Sequence, residues 1–233
     1  RSEESVLKEV ENIVKEPDFK GQLSDLGGPS ANMYKLAGEN MDICKKCIRP
    51  SCVFPNICNN LNTNHSALLN LYRKVRKIKG IKKASIGSGI RYDFILAQSS
   101  KYKKENLEYL TEVIKYHVSG RLKVAPEHSS EHVLKLMRKP SFGYFIEMKK
   151  FFEKINNENK LNQQLIPYFI SSHPGCTVDD MAELALVNRH TSTKPEQVQD
   201  FTPTPMTLAS VMYYTGKDPF TGKKVFVSQT IDE

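Results

Sequence analysis

Between residues 22 and 214 the chain alternates short apolar stretches with amphipathic helical patterns, and this alternation limits the possible folds more than any other feature. The stretches lie at 22–26, 84–86, 122–124, 165–170 and 197–201. Helical spacing follows them in Leu68, Leu71, Tyr72, Val75 and Ile78, in Leu107, Leu110, Val113 and Ile114, at 133–137 and 145–155, in Met181 and Leu184, and at 208–214. A further helix opens the chain: Ser2 can cap it, Glu3 and Glu4 fill its first turn, Val6, Leu7, Val10, Ile13 and Val14 form its apolar face, and Pro17 stops it. Strands that alternate with helices pair in parallel through right-handed crossovers. The expected class is therefore α/β, a partial (β/α) barrel of parallel strands with a cysteine-rich loop inserted. No Gly-x-Gly-x-x-Gly occurs, so a dinucleotide-type doubly wound sheet is not favoured.

At 233 residues and 39% hydrophobic, the chain is long enough to bury a full core. We expect one barrel-type domain over 1–215 with a cysteine-rich insert at 40–64, and a hairpin or arm at 216–233. No apolar run has the roughly 18 residues a membrane span needs, and the start, Arg-Ser-Glu-Glu-Ser, has no signal-peptide pattern. A cytoplasmic location is expected. An odd count of five cysteines fits a reducing compartment better than a disulfide framework.

Four of those cysteines, Cys44, Cys47, Cys52 and Cys58, fall in one basic, turn-rich loop. Four thiolates so close in sequence can complete the tetrahedral shell of Zn²⁺ or hold an iron-sulfur cluster, and the spacing does not choose between zinc and an auxiliary cluster. The net charge of +8 favours anionic partners. It is densest at Arg73, Lys74, Arg76, Lys77, Lys79, Lys82 and Lys83, which reads either as a nucleic-acid surface or as the solvated face of a helix. A basic Cys₄ zinc module that binds nucleic acid without catalysis is thus the alternative to an enzyme.

In a barrel-type fold the chemistry sits where strands end. Arg91 and Asp93 follow the second stretch; Lys123, Glu127 and His128 belong to the third; His173 and Cys176 follow the fourth; Asp200 lies in the fifth. A guanidinium, carboxylates and imidazoles converging there could position a polar substrate or a ribose. Cys176 reads by default as a buried thiol.

Several strand-end sequences, in this order, resemble the YgiQ-type radical S-adenosylmethionine proteins: Asp25-Leu-Gly-Gly-Pro-Ser-Ala-Asn-Met33, the cysteine loop with Cys58-Asn-Asn-Leu-Asn62, Gly89-Ile-Arg-Tyr-Asp93, Leu122-Lys-Val-Ala-Pro-Glu-His128, Ile170-Ser-Ser-His-Pro-Gly175 and Gln197-Val-Gln-Asp-Phe201. The resemblance implies a six-stranded partial barrel in which a [4Fe-4S] cluster on Cys-x-x-x-Cys-x-x-Cys cleaves S-adenosylmethionine to a radical. It also implies a cofactor-binding role for Gly27 and Gly28, whose turn would approach the amino end of S-adenosylmethionine, and for Arg91, Lys123, Glu127, His128, His173 and Asp200. This chain contains no Cys-x-x-x-Cys-x-x-Cys. The expectation is a chain that supplies strands two to six, lacks the first strand with its catalytic cluster, and does not cleave S-adenosylmethionine alone. An unpaired edge at 22–26 could then pair with another chain or a second copy. The substrate is not readable from these residues.

Overall fold

The computed structural model describes residues 1–26, 32–97, 101–193 and 195–228. They form two compact units: the first comprises Arg1–Cys52, Ile57–Lys123 and Glu147–Leu165, the second Val53–Asn56, Val124–Ile146 and Ile166–Glu233.

In the first unit, helix α1 (Glu3–Val14) starts where the Ser2 hydroxyl accepts the Ser5 N–H at 3.2 Å, with two glutamates at its positive end. Strand β1 (Gln22–Ser24) pairs in parallel with β2 (Lys83–Ser85), Leu23 opposite Ala84. Between them lie the short helix α2 (Met41–Lys45) in the cysteine loop and α3 (Ser66–Arg76). Leu68, Leu71, Tyr72 and Val75, the face expected from their spacing, are the buried side of α3. After β2 come α4 (Tyr92–Leu96) and α5 (Lys103–Glu112), which widens into a π-helical turn at Val113–His117. That turn carries Val113, Ile114 and His117 into the core.

Strand β3 (Arg121–Glu127) leads into the second unit, which holds α6 (Glu131–Met137), while α7 (Gly143–Glu158) belongs to the first unit from Glu147 onward. Strand β4 (Gln164–Ser171), helix α8 (Val178–His190), strand β5 (Gln197–Asp200) and helix α9 (Leu208–Thr215) complete the order. The sheet runs β3-β4-β5, with β4 and β5 parallel and Ser171 opposite Asp200. Thr177 and Asp180 form a reciprocal capping box on α8. Gly216 ends α9 in a left-handed conformation, and an antiparallel bridge between Lys217 and Lys224 begins the closing hairpin.

The α/β class and the five-strand order expected from the sequence are present. The partial barrel expected with them is not shown: among the described residues the strands lie in two unclosed sheets, β1-β2 and β3-β4-β5. The outer edge of β2 is occupied. Groups of Lys83 and Ser85 face β1, so Ala84 C=O and Ile86 N–H point the other way, and both are taken by His117: its Nδ1 donates to Ala84 O at 2.7 Å and its carbonyl accepts the Ile86 N–H at 2.8 Å. A helix end thus occupies the ladder position that another strand would need.

Candidate functional site

The second unit places three strand ends around one cavity of about 300 Å³. Glu127 comes from the end of β3, His173 from just past β4, and Asp200 from the end of β5. Lys139, Met137 and Phe201 complete the part of the wall that matters chemically.

Glu127 is 8% exposed and has φ +68°, a left-handed backbone that a glutamate adopts at a cost of about 1–2 kcal/mol. Its Oε1 accepts from Lys139 Nζ at 2.7 Å. Its Oε2 is buried with no hydrogen-bond partner among the described residues. A bare buried carboxylate oxygen is costly unless a donor arrives to satisfy it.

His173 is also buried, and its tautomer is set by its neighbour. Only a donor can meet a carbonyl, so Nδ1–H donates to Pro174 O at 2.9 Å and Nε2 remains the acceptor of the ring. Burial lowers its pKa, which keeps the imidazole neutral, and Phe201 packs edge-on with centroids 5.2 Å apart. Asp200 accepts the Ser171 hydroxyl across the β4/β5 pair. The cavity therefore presents two carboxylates and a neutral imidazole acceptor against one ammonium. Such a set receives hydroxyl or ammonium donors, and a neutral imidazole can also take up a proton.

The other strand-end residues are placed differently. His128 is fully buried and does not line this cavity. Its Nδ1 accepts the Ser130 N–H at 3.0 Å, and its Nε2 lies 3.5 Å from Cys176 Sγ. With Nδ1 used as an acceptor, Nε2 carries the proton and cannot deprotonate the thiol. Burial raises the Cys176 pKa and lowers that of His128, so the pair is a packed thiol and imidazole, not an activated nucleophile. In the first unit, Arg91 grips Asp93 through Nε at 2.9 Å and through Nη2, and lies 4.4 Å over the Phe94 ring. Its peptide is held by Asn32, which also bonds buried His65 at 3.0 Å. Lys123 is exposed on β3. Gly27 and Gly28 lie outside the described residues. Lys139 had no signal in the sequence: it follows α6 and is brought to Glu127 by the left-handed turn at Arg138, φ +56°.

The four-cysteine loop belongs to the first unit, apart from residues 53–56. Cys44, Cys47, Cys52 and Cys58 are free thiols of intermediate or full exposure. No three His, Cys, Asp or Glu side chains among the described residues are gathered as a metal site requires. What is present is a set of hydrogen bonds to sulfur: Asn60 Nδ2 donates to Cys44 Sγ at 3.2 Å, and Arg49 N–H to Cys47 Sγ at 3.4 Å. The Cys58 N–H closes the loop on Cys52 O at 2.8 Å. Gly38 allows the Cys44 thiol its place, since a Cβ there would collide with the sulfur.

Among the described residues, three of the seven in the basic run are ion-paired within the first unit. Arg73 pairs with Glu108 at 2.9 Å and Glu112 at 3.3 Å, Arg76 with Glu112 at 3.0 Å, and Lys74 with Glu3. Arg76 also stacks 3.7 Å over Tyr116. No helix among the described residues is long and apolar enough to cross a membrane.

Residues 196–231 match a domain of unknown function, DUF3362. The chain is 56% identical over 232 residues to a UPF0313 protein of Bacteroides thetaiotaomicron and 57% identical over 230 residues to one of Porphyromonas gingivalis. It is 45% identical over 233 residues to a UPF0313 protein of Methanocella arvoryzae. These alignments cover 99%, 98% and 100% of this chain but 37%, 36% and 38% of the relatives, so the chain spans a little over a third of their length.

Proposed function

We propose that this chain, similar over nearly its whole length to UPF0313 proteins, forms part of the core of an S-adenosylmethionine-dependent radical iron-sulfur enzyme. In this reading the strand-end cavity of the second unit holds a hydroxyl-bearing or ammonium-bearing part of the cofactor or substrate. The observation that carries it is Glu127: a buried carboxylate with one bare oxygen, on a left-handed backbone, in a cavity that the next two strands line with His173 and Asp200.

The donors and acceptors fit a ribose or an amino group. Glu127 and Asp200 accept from hydroxyls, Lys139 holds the Glu127 charge in place, and His173 accepts a hydrogen bond or a proton at Nε2. The catalytic cluster does not fit the residues of this chain, which contains no Cys-x-x-x-Cys-x-x-Cys and, among the described residues, gathers no three thiols. When bound, that cluster would supply the electron that cleaves S-adenosylmethionine, and its ligands would have to come from outside these residues. The N–H bonds to Cys44 and Cys47 sulfur support a thiolate role for the loop, as such bonds stabilise sulfur charge around metals. Zinc or an auxiliary cluster there would have to draw at least three of the cysteines together.

The test uses the full-length protein, reconstituted anaerobically with iron and sulfide. S-adenosylmethionine should bind, and Glu127→Gln and Asp200→Asn should each weaken it about tenfold, the value of one lost charge-assisted hydrogen bond. Formation of 5′-deoxyadenosine under reductant reports the reaction. No binding by the unmutated protein, or binding by both variants as tight as that of the unmutated protein, overturns the reading. Metal and sulfide analysis of the Cys44→Ser/Cys47→Ser protein separates the loop from the catalytic cluster.

A further inference from the structure

The second unit contains a larger cavity, about 540 Å³, that shares no lining residue with the strand-end site. One wall is the outer side of α6, with Lys135, Leu136 and Arg138. The facing wall is the hairpin after α9, which lies in the segment matched by the domain of unknown function.

That hairpin is well tied. Asp218 N–H donates to Lys223 O at 2.9 Å, Gly222 N–H to Asp218 O at 2.8 Å, and Val225 N–H to Gly216 O at 2.8 Å. Gly175 N–H then binds Phe226 O at 2.7 Å and fixes the arm beside the turn after β4. At Gly175 the φ is +91° and a Cβ would collide with Leu136 Cδ1, so the cavity floor depends on glycine there.

The lining divides into an apolar floor and a cationic rim. Phe54, Leu136, Met212, Val225 and Phe226 give the floor. Lys135, Arg138, Lys223 and Lys224 give the rim, against a single carboxylate, Asp218. Asp218 is already satisfied by its own turn: Oδ1 accepts the Phe220 N–H at 2.9 Å and Oδ2 the Thr221 hydroxyl at 2.7 Å. Arg138 makes no ion pair within 4 Å among the described residues, although its charge adds to the Phe220 N–H and Thr221 hydroxyl bonds that hold the Asp218 carboxyl below its usual range. Its guanidinium lies 5.1 Å from the Phe54 ring centroid and 4.7 Å from that of Phe220, which leaves its planar edge for an acidic group.

We propose that this cavity binds a small aromatic anion, its ring on the floor beside Phe220 and Phe54 and its acidic group on Arg138, Lys223 and Lys224. The volume lies in the range of small-molecule sites, and the four-to-one charge balance selects the sign.

The probe is 8-anilinonaphthalene-1-sulfonate, titrated by fluorescence against the full-length protein. Uncharged N-phenyl-1-naphthylamine serves as the ring-only control and inorganic phosphate as the anion-only control. Saturation at one site per chain is expected, with each control at least tenfold weaker. Arg138→Gln should weaken the sulfonate about tenfold, and Lys223→Gln/Lys224→Gln several-fold with a flatter dependence on salt. Melting curves establish that each variant is folded, and the lysine pair decides if Arg138→Gln is not. Equal binding of the uncharged probe overturns the anionic part, and equal binding of phosphate overturns the aromatic part. Sulfonate binding unchanged in the folded variants overturns the site.

Discussion

Glu112 in the first unit and Glu127 in the second are both buried, 6% and 8% exposed, yet they meet different company. Glu112 ends α5 with two arginines on it, Arg73 and Arg76, and with His117 Nε2 at 3.7 Å. Glu127 ends a strand with one lysine on one oxygen. Each leaves one buried oxygen without a hydrogen bond, but Glu112 Oε1 has Arg76 Nη2 at 3.0 Å, whereas Glu127 Oε2 has no ion pair among the described residues and its residue lines the strand-end cavity. A carboxylate surrounded by cations from its own unit is a joint of the fold. One with a cation on a single oxygen at a strand end, on a backbone that carries strain, is the proposed receptor.

The largest expected effect tests that distinction through stability. Removing Glu112 leaves Arg76 without its carboxylate, Arg73 with Glu108 alone and His117 facing empty space, so Glu112→Ala should cost about 2 kcal/mol in urea unfolding. Glu127→Gln keeps the shape, loses only a partly exposed pair with Lys139, and should cost under about 1 kcal/mol. The two values need to differ for the comparison to hold. A Glu127→Gln cost equal to that of Glu112→Ala would make Glu127 another structural joint.

A smaller effect comes from the buried histidines of both units. Burial lowers the pKa of His65, His117, His128 and His173. In the unfolded chain each titrates near about 6.5, so below that pH the unfolded state binds protons that the folded state refuses. The stability they contribute is complete above about pH 6.5 and is lost as pH falls toward their lower folded values. Asp25 and Asp180 act in another window. Burial works against their carboxylates, but hydrogen bonds from Ser88 and Gly87, and from Ser130 and Thr177, hold their pKa below the ordinary carboxylate range, so their contribution is lost only at lower pH. The urea midpoint should therefore drop between pH 7 and pH 5. A flat midpoint over that range would contradict the buried, neutral histidines on which the His173 acceptor depends.

Much of the element order was legible because periodic burial is a local signal. Leu68, Leu71, Tyr72 and Val75 are all buried, as their spacing required, and Ser2 caps the first helix. The joining of strands was not legible, because it turned on His117. Nothing in a helical pattern announces that a π-turn will rotate one imidazole onto Ala84 O and close the edge of β2. The Pro-Glu-His run at the end of β3 shows the same limit within a site. Sequence placed Glu127 and His128 together, and one left-handed φ sends the first to the cavity and the second into the core against Cys176. Lys139, twelve residues from its partner, could be found only in three dimensions. The cysteine spacing spoke of what the loop could hold, while the assembly of its thiols depends on what reaches them.

The smallest effect probes how Glu112 is shared. Arg73 is split between Glu108 and Glu112, and its guanidinium is 39% exposed, so water screens much of its attraction. Arg76 has the shorter contact to Glu112 and is fixed from behind by the Tyr116 ring. Arg73→Gln should then cost only about 0.5–1 kcal/mol, because Arg76 continues to neutralise the buried carboxylate. In a double-mutant cycle with Glu112→Ala, the coupling to Arg76 should exceed that to Arg73. If the order is reversed, the buried charge is held from the α3–α5 surface by Arg73, and the stacked Arg76 is a packing residue whose charge is incidental.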